Sequence, residues 1–356
     1  MRIPRFIHPG DTIGFAAPSF GVASDPYKTR FEEAVRRFEA RGYHVRTVPS
    51  VYMDDGLGIS TDPAKAAEDL MELYLDPGIA AVISVGGGEL MNETISCVDF
   101  QRLAAAEPKW FMGYSDNTNM LIPLTTICEV PGIYGPCAPT FGRTWDETCD
   151  DAMGILEGTN LTVRGRDLFE LPWQEGEEEA EEADPLAGYN LTEKKILDCR
   201  IMKNGVLTKA DAGDRVTMRG TIIGGCLDIL VNLTGTPYEN VRNYIRKYGS
   251  MIWVLEACDL SVMAIRRALW HLKMNGWFDT AAGFVIGRPL CAFRQEMMGV
   301  DQYNAVTGVL GEFGVPIVMD ADVGHVAPMI PVISGCPAEV EVQGNSIEIR
   351  HTLGRQ

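Results

Sequence analysis

The run Trp110-Phe111-Met112-Gly113-Tyr114-Ser115-Asp116-Asn117-Thr118 joins an apolar stretch, a glycine, a serine and a helix-forming segment. It predicts a buried strand, a tight turn and the first turn of a helix. Ser115 then sits at a strand's C-terminal edge with its hydroxyl exposed. The N–H groups that follow, Asp116 first, are donors that a helix start leaves without intrahelical partners. That arrangement suits a nucleophile beside an oxyanion hole. It equally suits an ordinary N-cap serine.

A serine hydroxyl needs a general base, and an imidazole is the usual one. The chain has five histidines. His8 precedes a Pro-Gly turn, His44 starts a strand, His271 lies mid-helix and His351 is near the terminus. His325 alone follows a strand end in a loop flanked by glycine, Val323-Gly324-His325-Val326-Ala327-Pro328. Active-site residues concentrate on such loops, although a solvated loop histidine has the same look. A base histidine needs an acceptor for its second N–H. Glu256 ends the apolar run Met251 to Leu255, so its carboxylate lies at a buried sheet edge and needs a partner. That partner is a histidine or an arginine such as Arg266 or Arg267. Asp259 is a weaker rival for the orienting role.

Gly86-Gly87-Gly88 follows the apolar run Ala80 to Val85. It has three readings: an oxyanion donor with no side chain in the way, a phosphate cradle, or a plain tight turn. No lysine follows it in P-loop spacing. The oxyanion reading ranks first, because the strand ending at Ser115 is its expected neighbour.

These groups need elements to hold them. Residues 1–140 alternate strand and helix at βαβ spacing. Strands are expected at 12–17, 44–48, 80–85 and from 133. Phe31, Ala34, Val35 and Phe38 share one helix face. Strands this apolar on both sides belong in a parallel sheet covered by helices, with ligands at the strands' carboxyl ends. Residues 141–214 read as a linker with an acidic insertion, Glu175 to Asp184, a solvated connection by composition. A second α/β region spans 215–356. It should hold a strand over 216–223, a turn at Gly224-Gly225, a helix over 226–233, strands at 251–255, 283–286 and 315–319, and a final hairpin turning at Gly344-Asn345.

The 356 residues carry a net charge of −18, which argues against a nucleic-acid partner. The nine cysteines are scattered without a C-x-x-C, so neither a zinc pattern nor a disulfide framework is expected. No run approaches the ~20 apolar residues of a membrane span. With no secretory signal evident at the N-terminus, a cytoplasmic protein is expected.

Taken together, Gly113-Tyr114-Ser115-Asp116-x-Thr118, Ala17-Pro18-Ser19, Gly87-Gly88 with Asn92, Tyr134-Gly135-Pro136, Gly220-x-x-x-Gly224-Gly225, Leu255-Glu256, Gly287-Arg288 and Gly324-His325 resemble the LD-carboxypeptidase family of serine peptidases. The resemblance covers nearly the whole chain. It implies a flavodoxin-like N-terminal parallel-sheet domain and a smaller C-terminal α/β domain of swivelling type. It implies a Ser115–His325–Glu256 triad, an oxyanion hole from Asp116 with Gly87 or Gly88, and no metal or cofactor. Asn92 and Tyr134 carry over as substrate-binding residues, and a homodimer as the expected assembly.

Within the family the chain leans to the microcin C immunity branch, which cuts an amide joining an aminoacyl group to a nucleotide-like moiety. The murein branch, which removes D-Ala from cell-wall tetrapeptides, usually has an arginine before the glycine pair, where this chain has Ser84-Val85-Gly86. Met91 departs from the Ser-Asn expected of the immunity branch. Trp173, or Trp145, is a candidate to stack on a nucleobase, and Trp173 could equally pack the acidic insertion down. Two rivals remain open: a non-catalytic peptide- or nucleotide-binding protein, and a nucleotide-binding transferase that uses the glycine turn.

Overall fold

Two of the strands are runs of apolar residues with almost no polar break. Ile79–Ser84 is buried at every position, and so is Trp110–Gly113. Only a sheet covered on both faces accepts such strands. The computed structural model describes residues 1–172 and 183–353. Its contacts divide the chain into two compact units.

The first unit runs from Met1 to Leu161 and includes residues 183–188. Its strands are β1 (Thr12–Ala16), β2 (His44–Thr47), β3 (Ile79–Ser84), β4 (Trp110–Gly113) and β5 (Gly132–Tyr134). They lie side by side in the order β5-β4-β3-β1-β2, and every pair is parallel. Helices α1 (Tyr27–Ala40), α2 (Pro63–Leu75), α3 (Met91–Ile95), α4 (Phe100–Ala105) and α5 (Thr118–Thr126) connect them. On α1 the expected stripe is buried at Phe31, Ala34 and Phe38, while Val35 is only half-buried. Phe15 of β1 meets the Phe31 and Phe38 rings at 5.3 and 5.5 Å. Full burial of each such side chain contributes about 1.5–3 kcal/mol. Helix α6 (Glu147–Glu157) closes the unit, started by Asp146, whose carboxylate accepts the Thr148 and Cys149 N–H groups, and ended by left-handed Gly158.

The second unit comprises Thr162–Pro172 and Tyr189–Leu353. It contains β6 (Thr162–Arg164), β7 (Leu168–Glu170), β8 (Leu191–Lys194), β9 (Asp198–Lys203), β10 (Val206–Lys209), β11 (Arg215–Cys226), β12 (Met251–Glu256), β13 (Ala281–Gly287), β14 (Glu296–Met297), β15 (Val300–Asp301), β16 (Ile317–Ala321), β17 (Val332–Ser334), β18 (Pro337–Gln343) and β19 (Ser346–His351). Nine of these make one mixed sheet, β10-β9-β16-β13-β12-β11-β18-β19-β6. The centre from β11 to β16 is parallel, and antiparallel strands extend both edges. The parallel centre places the C-terminal ends of β12, β13 and β16 on one side.

Two expectations change here. The stretch 141–214, read as a linker, holds α6 and five strands, β6 to β10. These strands are short and carry many polar residues, and all but β9 lie at a sheet edge or in a two-stranded sheet, so composition alone hides them. The turn expected at Gly224-Gly225 does not form, and β11 continues through both glycines to Cys226. A Cβ on Gly224 would lie 1.8 Å from the Val254 carbonyl oxygen, so glycine is there to let β12 come close. The acidic run 175–182 and Trp173 lie outside the described residues.

Candidate active site

In the first unit, β4 ends at Gly113 and Tyr114 continues extended. Ser115 then takes φ +61°, a left-handed value that disfavours any residue with a Cβ. It is the first residue of a 3₁₀ turn, Ser115–Asn117, whose N-cap is Tyr114 rather than the serine. A strained left-handed residue at a strand-to-helix turn is how a fold presents a nucleophile. The glycine turn lies beside it: a Cβ on Gly87 would be 3.0 Å from Ser115 Cβ and 3.2 Å from Oγ. On Gly88, with φ +144°, a Cβ would stand 2.2 Å from Ser19 Oγ. Any side chain on these glycines would crowd the serine or its supports.

Tyr134, carried over as a substrate contact, is buried, and its Oη accepts the Ser115 N–H at 3.2 Å. The contact visible here holds the Ser115 backbone. It also occupies the Ser115 N–H, which leaves Asp116 as the first candidate oxyanion donor of the turn. Asn92 is exposed in the first turn of α3, its carbonyl accepting Ser96 Oγ. Trp145 packs against Phe141, with the Arg41 guanidinium 3.5 Å from its ring centre.

Asp116 does more than its backbone suggested. Its buried carboxylate accepts Ser19 Oγ at 2.5 Å, Met91 N–H at 2.9 Å and Asn119 Nδ2 at 2.7 Å. Burial pushes its pKa above the usual carboxylate value, and the three donors offset only part of that. The carboxylate thus pins the serine turn to the end of β1 and the start of α3. The signal in the sequence was the pairing of Ser19 with an acid just after the candidate nucleophile.

In the second unit, Glu256 is the last residue of β12 and His325 lies in the loop after β16. His325 Nδ1 and Glu256 Oε2 are 2.8 Å apart. The alternatives fall away: Arg266 donates to the Asn304 carbonyl, and Asp259 is exposed with its N–H on Asp228. Burial lowers the His325 pKa, but the Glu256 charge and hydrogen bond, then Asp228 and Asp259, outweigh it and hold the imidazolium above its ordinary 6.5. With Nδ1–H donating to the carboxylate, Nε2 carries the basic lone pair.

Glycine makes this pair possible. Gly324 has φ +96°, and a Cβ there would sit 2.4 Å from Glu256 Oε2. Gly324→Ala should destabilise the fold by about 1–3 kcal/mol and swing Glu256 off the imidazole. Thermal melting and turnover measured together check this, and native values for both would count against it.

The histidine loop is anchored at its base by a group that sequence reasoning passed over. Asp322 is fully buried and meets Arg288 Nη2, Lys195 Nζ at 3.1 Å and the Arg166 N–H at 2.7 Å. The Asp322 carbonyl accepts Ile330 N–H at 2.7 Å, which closes the loop on itself. Arg288 also donates to the Asp320 carbonyl and lies 4.5 Å from the Phe169 ring centre. A charge this deep is tolerated only because its partners are fixed around it.

The first unit thus presents a left-handed serine at a strand end, and the second, separately, a His–Glu pair whose carboxylate is buried. Residues 13–135 match the LD-carboxypeptidase N-terminal domain and residues 219–340 the LD-carboxypeptidase C-terminal domain. The chain belongs to the LD-carboxypeptidase family. It is 25% identical over 348 residues to the microcin C7 self-immunity protein MccF of Escherichia coli, covering 96% of this chain and 93% of that protein. It is 26% identical over 342 residues to a probable murein peptide carboxypeptidase of Bacillus subtilis (strain 168), covering 94% and 90%. Its fold matches that of MccF in complex with glutamyl sulfamoyl guanosine, with a TM-score of 0.74 at 22% identity over 99% of each chain.

Proposed function

We propose that Ser115, His325 and Glu256 act as a catalytic triad that hydrolyses an amide in a small aminoacyl-nucleotide-like or peptide substrate. The observation that carries this reading is the 2.8 Å bond from His325 Nδ1 to Glu256, which leaves Nε2 as a base. In the mechanism, Nε2 takes the Ser115 proton while Oγ bonds to the substrate carbonyl carbon. The N–H groups of Asp116 and of Gly87 or Gly88 receive the oxyanion. His325 then returns the proton to the leaving amine as the C–N bond breaks. A water molecule, deprotonated by the same histidine, hydrolyses the acyl-enzyme. Glu256 fixes the tautomer and stabilises the transient imidazolium.

The microcin-type substrate is favoured by the relative's complex with glutamyl sulfamoyl guanosine. The Bacillus relative named as a probable murein peptide carboxypeptidase supports a second reading, release of a terminal D-Ala. All nine cysteines are free thiols, which fits work in a reducing compartment. Among the described residues no helix is long and apolar enough to cross a membrane.

Mass spectrometry of an aminoacyl-sulfamoyl adenosine and a murein tetrapeptide, each incubated with the native chain and with Ser115→Ala, separates the readings. Release of the sulfamoyl adenosine supports the first and release of D-Ala the second. Ligand recovered unchanged from both, with the fold intact, would favour a binding protein instead.

A further inference from the structure

The candidate oxyanion donors sit on two turns that leave different strands: Gly86–Gly88 after β3 and Ser115–Asn117 after β4. The strands are hydrogen-bonded neighbours. A hole built from both turns is only as well defined as the tie between them. Asn117, fully buried, makes that tie. Its Nδ2 donates to the Gly86 carbonyl at 2.8 Å and to the Tyr114 carbonyl at 2.9 Å. Two carbonyl oxygens need two N–H groups on one atom, so the amide has only one workable orientation.

Three further observations point the same way. A peptide N–H lies opposite its C=O, so fixing the Gly86 carbonyl fixes where the Gly87 N–H points. That carbonyl also accepts Ser84 Oγ at 2.8 Å, and the next one, of Gly87, accepts the Phe20 N–H at 2.9 Å. A Cβ on Gly113 would lie 2.6 Å from Asn117 Cγ, so the strand end is a glycine where the amide must pass beneath it. Finally, Asn117 Oδ1 is buried with no hydrogen-bond partner among the described residues. An orphaned acceptor disfavours folding. The two donors on the same amide are what offset that cost here.

We propose that Asn117 is a positioning residue that sets the Gly87 N–H against the Ser115 hydroxyl, an inference that rests on the serine-hydrolase reading above. The oxyanion exists only in the transition state, so its misplacement should show in turnover and not in substrate binding. Asn117→Ala removes both donors, and Asn117→Ser restores a single one. On whichever substrate the native chain cleaves, Asn117→Ala should lower kcat by about 10²–10³ with KM within about twofold, and Asn117→Ser should fall between it and native. A boronic acid that mimics the tetrahedral adduct on Ser115 should lose affinity in parallel with kcat.

Either folded variant keeping kcat within about threefold of native would overturn the proposal, as would a loss confined to KM. If Asn117→Ala fails to fold, Asn117→Ser alone decides on the same criteria. Native turnover that vanishes in Ser115→Ala establishes the hydrolase, so a failure of Asn117 then stands by itself. No turnover by the native chain on any substrate overturns both readings at once.

Discussion

Ser115→Ala is expected to fold as the native chain does and to lose about 10⁶ in kcat. The size follows from the roles. Without Oγ no acyl-enzyme forms, and the His–Glu pair and oxyanion donors can assist only direct attack by water. The fold should tolerate the change because the turn is held through its backbone and through a neighbouring carboxylate. The Ser115 N–H bonds to Tyr134 Oη, and the turn is held by the Asp116 carboxylate through Ser19, Met91 and Asn119. Alanine keeps a Cβ, so the left-handed φ of +61° is no easier to adopt. Melting temperature and single-turnover hydrolysis on the same preparation check both halves. Hydrolysis within about tenfold of native would remove Ser115 from the chemistry.

The strand, turn and helix around Ser115 were legible because their physics is local. An apolar strand, a glycine and a serine before a helix specify a turn whatever surrounds them. The stripe on α1 was legible for the same reason, since a period of 3.6 can be read without knowing what the helix packs against. Glu256 and His325 stood only as candidates by their places at a strand end and in a loop, and the family resemblance joined them; their 2.8 Å contact spans 69 residues of chain and no local pattern encodes it. What stayed hidden depends on neighbours that sequence does not display. Asp116 was seen as an N–H and not as a buried carboxylate, because two of its partners, Ser19 after β1 and Met91 in α3, are distant in sequence. Asp322 drew no reading at all, because Arg288, Lys195 and Arg166 converge on it from distant segments. Gly224 and Gly225 look like a turn in any single sequence, and only the closeness of β12 shows why glycine is needed in mid-strand. Strands β6 to β10 were missed because they are short and mostly peripheral, with too few buried positions to stand out from a polar connection.

Glu256→Gln should lower kcat by about 10⁴ and move the acid limb of kcat/KM to lower pH. Glutamine keeps the size of the side chain but can donate to Nδ1, which favours the tautomer with its proton on Nε2 and removes the base. The pH shift follows from the balance at His325. Burial lowers its pKa, and the Glu256 charge does most to raise it above 6.5. Removing that charge leaves burial opposed only by Asp228 and Asp259, so the limb falls. Activity needs neutral imidazole, so the native limb should rise through a value above the ordinary histidine pKa. Stability should run the other way. A histidine whose folded pKa is raised contributes stability that is fully present below its unfolded pKa and is lost as pH rises through the folded one. Over about pH 5 to 9 the native chain should therefore gain activity as this contribution fades, while Glu256→Gln should lack that loss. Paired kcat/KM profiles and melting curves over the range decide it. An acid limb that stays where the native one lies would show that Glu256 does not govern the base.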